Sequence, residues 1–302
     1  MVFLMMKVLV TGSEGLIGTS LCKELEAIGW TVTRFDIRRD PSEDVRSFDA
    51  MKQAASDVDG VVHLAAISRV VWAQQDPEAC QQVNIEAIRN LTECLSQRQS
   101  ATPPWLLFAS SREVYGQQAD LPVPETAPLQ PMNIYARSKV EGETIVLGAR
   151  SSKLTTSIVR LSSVYGSPHD HKTRVTPAFA RAAAEGGQIR IEGRENTFDF
   201  VHVNDVVQAL MKMIELTSKG ENIDPIHLCS GQGTTLDQLA SLAASLSNGK
   251  TEIVSAPPRD FDVGKFIGCP KRAKEVLGWE ATTPLRDGFE KLVQDIRDLQ
   301  TE

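Results

Sequence analysis

A glycine loop set between a strand and a helix constrains this chain more than any other feature. The apolar run Lys7-Val8-Leu9-Val10 enters Thr11-Gly12-Ser13-Glu14-Gly15-Leu16-Ile17-Gly18, and an amphipathic stretch continues from Leu16 to Ile28, with Gly29 as its stop. In the pattern G-x-x-G-x-x-G, Gly12 permits a tight turn and Gly15 lets backbone approach a pyrophosphate. Gly18 lets the helix pack close to the strand. Free N–H groups at the helix start, around Leu16 and Ile17, then face phosphates. A second strand, Thr31 to Phe35, delivers Asp36, placed to accept both ribose hydroxyls of an adenosine. A carboxylate there repels a 2′-phosphate, so NAD is favoured over NADP, although Arg38 and Arg39 follow closely.

Strand and helix patterns continue to alternate. Val61-Val62-His63-Leu64, Trp105-Leu106-Leu107-Phe108 and Thr155 to Leu161 read as further buried strands. Helices are expected from Pro77 to about Arg98 and from Tyr135 to about Arg150. This texture specifies an α/β fold, a Rossmann-type doubly wound parallel sheet. The expected division is an NAD-binding domain over residues 1–162 and a mainly substrate-binding, smaller C-terminal α/β lobe over 163–302. Some later segments are expected to return to the first sheet. In the second part Gly and Pro cluster, as at Gly166-Ser167-Pro168, Gly186-Gly187 and Pro257-Pro258. Helical patches recur at Thr176–Glu185, Val203–Glu215, Leu236–Leu246 and Asp287–Leu299. A ligand cleft is expected at the C-terminal strand ends, between the lobes.

Tyr135-Ala136-Arg137-Ser138-Lys139 puts a phenol and an ammonium one helical turn apart. The ammonium favours the phenolate, which makes the tyrosine a usable proton acceptor near neutral pH. Ala109-Ser110-Ser111-Arg112-Glu113-Val114-Tyr115-Gly116, after the fourth strand, places the Ser111 hydroxyl where it could bond the same substrate oxygen.

Together these residues resemble the extended short-chain dehydrogenase/reductase family, specifically its nucleotide-sugar epimerases and dehydratases. The resemblance extends through Asp44-Val45, His63-Leu64-Ala65-Ala66, Asn84, Arg160-Leu161-Ser162-Ser163-Val164-Tyr165-Gly166, Phe198 to Val206, and Leu277-Gly278-Trp279. It implies that Asp44 and Val45 cup the adenine, and that Leu64, Ala65, Ala66 and Asn84 line the cofactor. It also implies a mechanism. Tyr135 takes a proton from a sugar hydroxyl, usually at C4, and hydride passes to NAD. Ser111 holds the oxygen, while Lys139 tunes Tyr135 and contacts the nicotinamide ribose. An epimerase, taken as the leading reading with inversion at C4, then returns hydride to the other face of the ketone. A dehydratase or decarboxylase instead continues from the ketone by elimination or loss of carbon dioxide. A net sugar dehydrogenase and a non-catalytic dinucleotide-sensing protein are the remaining readings.

Several positions depart from the family pattern. Glu113 stands where epimerases often carry a small, unreactive residue and where dehydratases and decarboxylases commonly carry an acid. It is either a proton-transfer group or an outward-facing residue salt-bridged to Arg112. Ser163 replaces a common Asn, and Phe198 replaces a common Arg, so the nucleotide diphosphate needs other arginines. Arg174, Arg194 and Arg259 are the candidates. His202 reads as structural, Asp205 as a helix-start residue, and Trp105 and Trp279 as core anchors.

At 302 residues with 41% hydrophobic and 24% charged content, the chain can bury a full core without staples. Its net charge of -7 argues against a general nucleic-acid binder. Cys22, Cys80, Cys94, Cys229 and Cys269 are scattered without metal-ligand spacing, so no metal is expected and a reducing, cytoplasmic setting is. No apolar run approaches a membrane span, and the opening Met1 to Met6 reads as a start-site extension. The Pro77 and Tyr135 helices resemble a pair that forms a four-helix interface in relatives, so a homodimer is the expected assembly.

Overall fold

The computed structural model describes residues 5–300, apart from 101, 248, 250, 258 and 260–262. Residues 1–4 of the opening extension and Pro258 therefore lie outside the described residues. The chain forms two compact units. One comprises the residues up to Gly116, Pro128–Leu161 and Val207–Ile226; the other comprises Gln117–Ala127, Ser162–Val206 and the residues from His227 onward.

The first unit is built on β1 (Lys7–Thr11), β2 (Thr31–Phe35), β3 (Gly60–His63), β4 (Trp105–Ser111) and β5 (Thr155–Leu161). The sheet order is β2-β1-β3-β4-β5, and the four pairings are all parallel. From β1 the chain steps outward to β2 on one side and to β3 on the other. A crevice therefore opens at the C-terminal ends of β1 and β3. Helices α1 (Leu16–Ala27), α2 (Phe48–Ala54), α3 (Val70–Gln75), α4 (Pro77–Gln81), α5 (Ala87–Ser96) and α6 (Ile134–Gly148) complete this part. Strand residues Leu9, Val61, Leu106 and Ile158 pack with Met51, Ile88, Leu91 and Val146 from the helices in one buried core.

The helix expected from Pro77 to Arg98 is not continuous α-helix. A π turn at Gln82–Glu86 joins α4 to α5, and it centres on Asn84. Such turns gather at functional positions because the extra residue re-aims the side chains around it. Trp105 is buried as expected, and Gly60 lies flat against its ring, where a Cβ would come within 1.9 Å of the indole.

The second unit carries β6 (Ser163–Tyr165), α7 (Val175–Glu185), β7 (Gly187–Glu192) and β8 (Thr197–His202). Helix α8 (Val203–Ser218) follows, and β9 (Ile223–Leu228) adds a sixth strand beyond β5. Then come β10 (Gly233–Thr235), α9 (Leu236–Leu246), β11 (Thr251–Ala256), α10 (Lys271–Leu277) and α11 (Leu285–Asp298). The small sheets are β10-β8-β6 and β11-β7. Phe179, Ile189, Ile191, Phe200, Leu239, Phe289 and Leu292 form this unit's own core. Its polar centre is Asp199, fully buried, which accepts from the N–H groups of Ser230, Gly231 and Gly268 at 2.8–3.1 Å and from Ser230 Oγ at 2.7 Å. His202 packs edge-on against Tyr165 and accepts from Asn204 N–H through Nδ1, a structural placement. Asp205 lies in the first turn of α8 and holds Thr282 Oγ1 and Thr283 N–H, each at 2.9 Å.

Candidate active site

The glycine loop is tighter than its sequence alone requires. Gly12 has φ +70°, and a Cβ there would meet Ala65 N at 2.7 Å; one on Gly18 would meet Gly12 O at 2.2 Å. The loop is thus drawn against the Leu64-Ala65 segment on one side and against α1 on the other. Gly15 is the N-cap of α1 and offers no side-chain cap, so the first-turn N–H groups of the Leu16-Ile17-Gly18 segment are left for an external acceptor. These features fit the pyrophosphate of a dinucleotide.

Asp36, just past the end of β2, is almost fully buried. Its carboxylate accepts from Glu14 N–H at 3.0 Å and Arg38 N–H at 2.9 Å, and Arg38 Nε lies 3.6 Å away. Arg39 turns instead to Glu43. Val45 is buried, whereas Asp44 is gripped by Arg46 at 2.6–3.0 Å, which holds its carboxyl below the ordinary carboxylate range. Beyond β3, Leu64 N–H donates to Thr11 O and Ala65 N–H to Thr11 Oγ1, with Ala66 next in the half-buried segment. Thr11 Oγ1 also bonds His63 Nδ1 at 2.9 Å. Burial, with a smaller push from Lys139, lowers the His63 pKa to about 3, so its ring is neutral. Asn84 spends its amide on Ile67 N–H (2.8 Å), Ile67 O (3.2 Å) and Ser138 Oγ (2.9 Å). It therefore ties the segment after β3 to α6.

Helix α6 begins because Asn133 caps it, accepting from Ala136 N–H at 2.8 Å. That start sets Tyr135 in the first turn and Lys139 one turn later. Lys139 is buried, donates to Ala109 O at 2.8 Å, and lies 5.9 Å from the Tyr135 ring centroid. Desolvation lowers its pKa to about 8, with Cys80 and Glu143 acting in the opposite sense. Ser111 ends β4 and opens a 3-10 turn, its Oγ accepting Glu113 N–H at 3.2 Å. Glu113 does bridge to Arg112, at 3.0 Å, but it does not face outward: only 7% of it is exposed. Its second oxygen accepts from Asn133 Nδ2 at 3.2 Å. The structure thus brings Tyr135 to Lys139, and Glu113 to both Ser111 and the cap of α6.

Residues 8–228 match the model of the NAD dependent epimerase/dehydratase family. The chain belongs to that family. It is 28% identical to a UDP-glucose 4-epimerase of Mycolicibacterium smegmatis over 97% of this chain and 99% of that protein. It is 27% identical to UDP-glucuronic acid decarboxylase 2 of Arabidopsis thaliana, over 97% of this chain and 68% of that one. A solved UDP-glucose 4-epimerase of Thermotoga maritima, in complex with UDP-glucose, superposes with a TM-score of 0.89 at 27% identity, covering 98% of this chain and all of the other. This epimerase/dehydratase chain is accordingly an NAD-dependent enzyme of nucleotide-sugar chemistry.

The three candidate arginines lie in the second unit, each beside a carboxylate. Arg174 Nε is 3.7 Å from Asp170, Arg194 bonds Asp237 at 2.5–2.7 Å, and Arg259 Nε is 3.2 Å from Glu192. Ala256 of β11 is paired with Glu192 of β7, and Gly193 N–H donates to Ala256 O, so Arg194 and Arg259 share one strand end. Arg174 stands apart, at the start of α7. Sequence reasoning overlooked Asn133 and the buried Glu143–Arg160 pair. Asn133 carries a visible signal, a capping residue just before a helix. Glu143 lies four residues beyond Lys139, but nothing local in the sequence announces its partner Arg160.

Proposed function

We propose that this protein is a nucleotide-sugar 4-epimerase, working through a transient 4-keto sugar, with a UDP-hexose as substrate. The observation that carries this reading is the engagement of Glu113. Each of its carboxylate oxygens already has a partner, Arg112 at one and Asn133 at the other, so turning either towards a carbon-bound proton would break a contact. What remains is a proton acceptor, Tyr135, an ammonium, Lys139, and a hydroxyl, Ser111. Bound NAD supplies a reversible hydride acceptor. Gly12, Gly15, Leu16, Ile17 and Gly18 would hold its pyrophosphate, Asp36 its adenosine ribose, Asp44 and Val45 its adenine, and Leu64, Ala65 and Ala66 its length. Tyr135 takes the C4 hydroxyl proton and later returns it, Ser111 fixes that oxygen, and Lys139 keeps the phenolate favoured. Arg174, Arg194 and Arg259 are assigned to the diphosphate. Four-epimerases and a C5-acting or decarboxylating enzyme make opposite demands on Glu113. In the second reading, favoured by its burial beside Ser111, it serves as the base.

The chain is further proposed to act as a cytoplasmic homodimer through the face of α5 and α6. That face carries the Arg89–Glu141 bridge and the exposed Leu147, and the five cysteines are all free thiols. No described helix is long and apolar enough to cross a membrane.

The test is incubation with UDP-glucose and, separately, with UDP-glucuronic acid in deuterium oxide, for wild type and Glu113→Gln. A 4-epimerase gives a product of unchanged mass, no carbon-bound deuterium, and turnover that survives in the variant. Deuterium at C5, or loss of carbon dioxide from UDP-glucuronic acid, with both abolished in Glu113→Gln, would transfer the assignment to the second reading.

A further inference from the structure

Beneath Tyr135 and Lys139 lies a second set of charged groups that the chemistry above does not use. Glu143 and Arg160 are 2% and 5% exposed. Arg160 grips Glu143 through two bonds, Nε to Oε1 at 2.9 Å and Nη2 to Oε2 at 2.6 Å. Its Nη1 also bonds the Tyr115 hydroxyl, and the guanidinium carbon lies 4.9 Å from that ring's centroid. Ser110 Oγ donates to Glu143 Oε1 at 2.5 Å. A buried Arg–Glu pair is a poor device for stability alone, because desolvation offsets most of the attraction and an apolar pair of similar volume often does as well.

What this pair does have is position. Lys139 donates to Ala109 O and Ser110 donates to Glu143, so α6 is joined to β4 at two consecutive residues immediately before Ser111. The two tie points on α6 are one helical turn apart. Arg160 adds β5 to the joint, and Tyr115 adds the turn that follows Ser111. The charges also balance in a particular way. Lys139 and Arg160 are two buried cations, Glu143 is one anion, and an ionised Tyr135 would be the second. With Glu143 charged, the phenolate neutralises the group; without Glu143, one positive charge stays unbalanced even when the phenol is ionised.

We propose that Glu143 and Arg160 are positioning residues for the Ser111–Tyr135–Lys139 site, clamping α6 to the end of β4 and setting the charge balance in which Tyr135 ionises. The inference rests on Tyr135 being the proton acceptor, so its test reads ionisation directly and needs no sugar. The chain has three tyrosines. Burial, then Asp205 and Asp287, push Tyr165 well up, and Tyr115 is fully buried against Arg160. A tyrosinate absorbance transition near neutral pH that disappears in Tyr135→Phe therefore belongs to the Tyr135–Lys139 pair.

In Glu143→Gln the midpoint of that transition is expected to fall by about one pH unit, since the anion that offsets Lys139 is lost and the Tyr135–Lys139 pair is left with more positive charge around it. In Glu143→Gln/Arg160→Gln, where both charges are gone, it is expected to return towards the wild-type value. In Arg160→Gln it is expected to rise, which decides the matter alone if Glu143→Gln does not fold. A purely structural pair would lower the melting temperature and leave the midpoint in place. An unchanged midpoint in the folded variants overturns the proposal. Absence of the transition in the wild type would instead overturn the role of Tyr135.

Discussion

At the scale of single residues, the groups that matter are those whose protonation the fold has altered. His63 is the clearest case. Its ring is buried between Thr11 and the stacked Phe108, and its pKa falls from an ordinary 6.5 to about 3. The unfolded chain therefore binds a proton below pH 6.5 that the native state refuses until far lower. Stability from this group is intact above pH 6.5 and declines as the pH falls towards 3. Between pH 7 and pH 5 the loss should be about 2 kcal/mol, read from urea unfolding midpoints. His63→Gln should flatten that part of the profile while retaining a partner for Thr11. A profile unchanged by the substitution would show that His63 is not the group responsible. Lys139 moves in the same direction but acts in another range. Its pKa of about 8 lets it carry charge at neutral pH while needing little energy to lose it.

At the scale of elements, α6 is the piece on which the site depends, and its first residue outside the helix does two jobs. Asn133 caps the helix through Oδ1 and holds Glu113 through Nδ2. Asn133→Ala should cost about 1 kcal/mol for the cap, with more for the released carboxylate. Asn133→Ser keeps a capping oxygen and should recover the first part only. Comparing the two melting temperatures separates the roles; equal losses would mean that the cap contributes nothing. The regular elements around α6 were legible in the sequence. Buried strands and amphipathic helices carry their periods locally, so β1 to β5 and α1 fell within a few residues of expectation. The π turn at Asn84 was not legible, since one extra residue in a helix leaves no compositional trace. For Glu113 the sequence left both an inward and an outward placement open, because its partner Asn133 lies twenty positions away in the chain.

At the scale of the whole molecule, the second unit is organised around a single carboxylate rather than a glycine pattern. Asp199 accepts from three backbone N–H groups and one hydroxyl, drawn from the loops after β9 and before α10. Burial raises its pKa, while those bonds act to lower it. Asp199→Asn would turn an amide N–H₂ towards N–H donors and should cost about 2–4 kcal/mol. Hydrogen exchange should quicken first at Ser230, Gly231 and Gly268; unaltered protection there would deny Asp199 this role.

The amino-acid sequence by itself determined the glycine loop, the acid at the end of β2, the Tyr135–Lys139 spacing and the doubly wound fold. Each of these is a relation between near neighbours in the chain, and sterics and periodicity act at that range. Tertiary structure alone decided where the later segments belong. The chain divides into two units of three pieces each: Val207–Ile226, with most of α8 and the start of β9, belongs to the first unit, and Gln117–Ala127 belongs to the second. It also decided that Glu113 is engaged, that Glu143 meets Arg160, and that Arg194 and Arg259 share a strand end while Arg174 does not. Those outcomes depend on strand pairing and buried charge, which join residues far apart in sequence and become fixed only when the core closes.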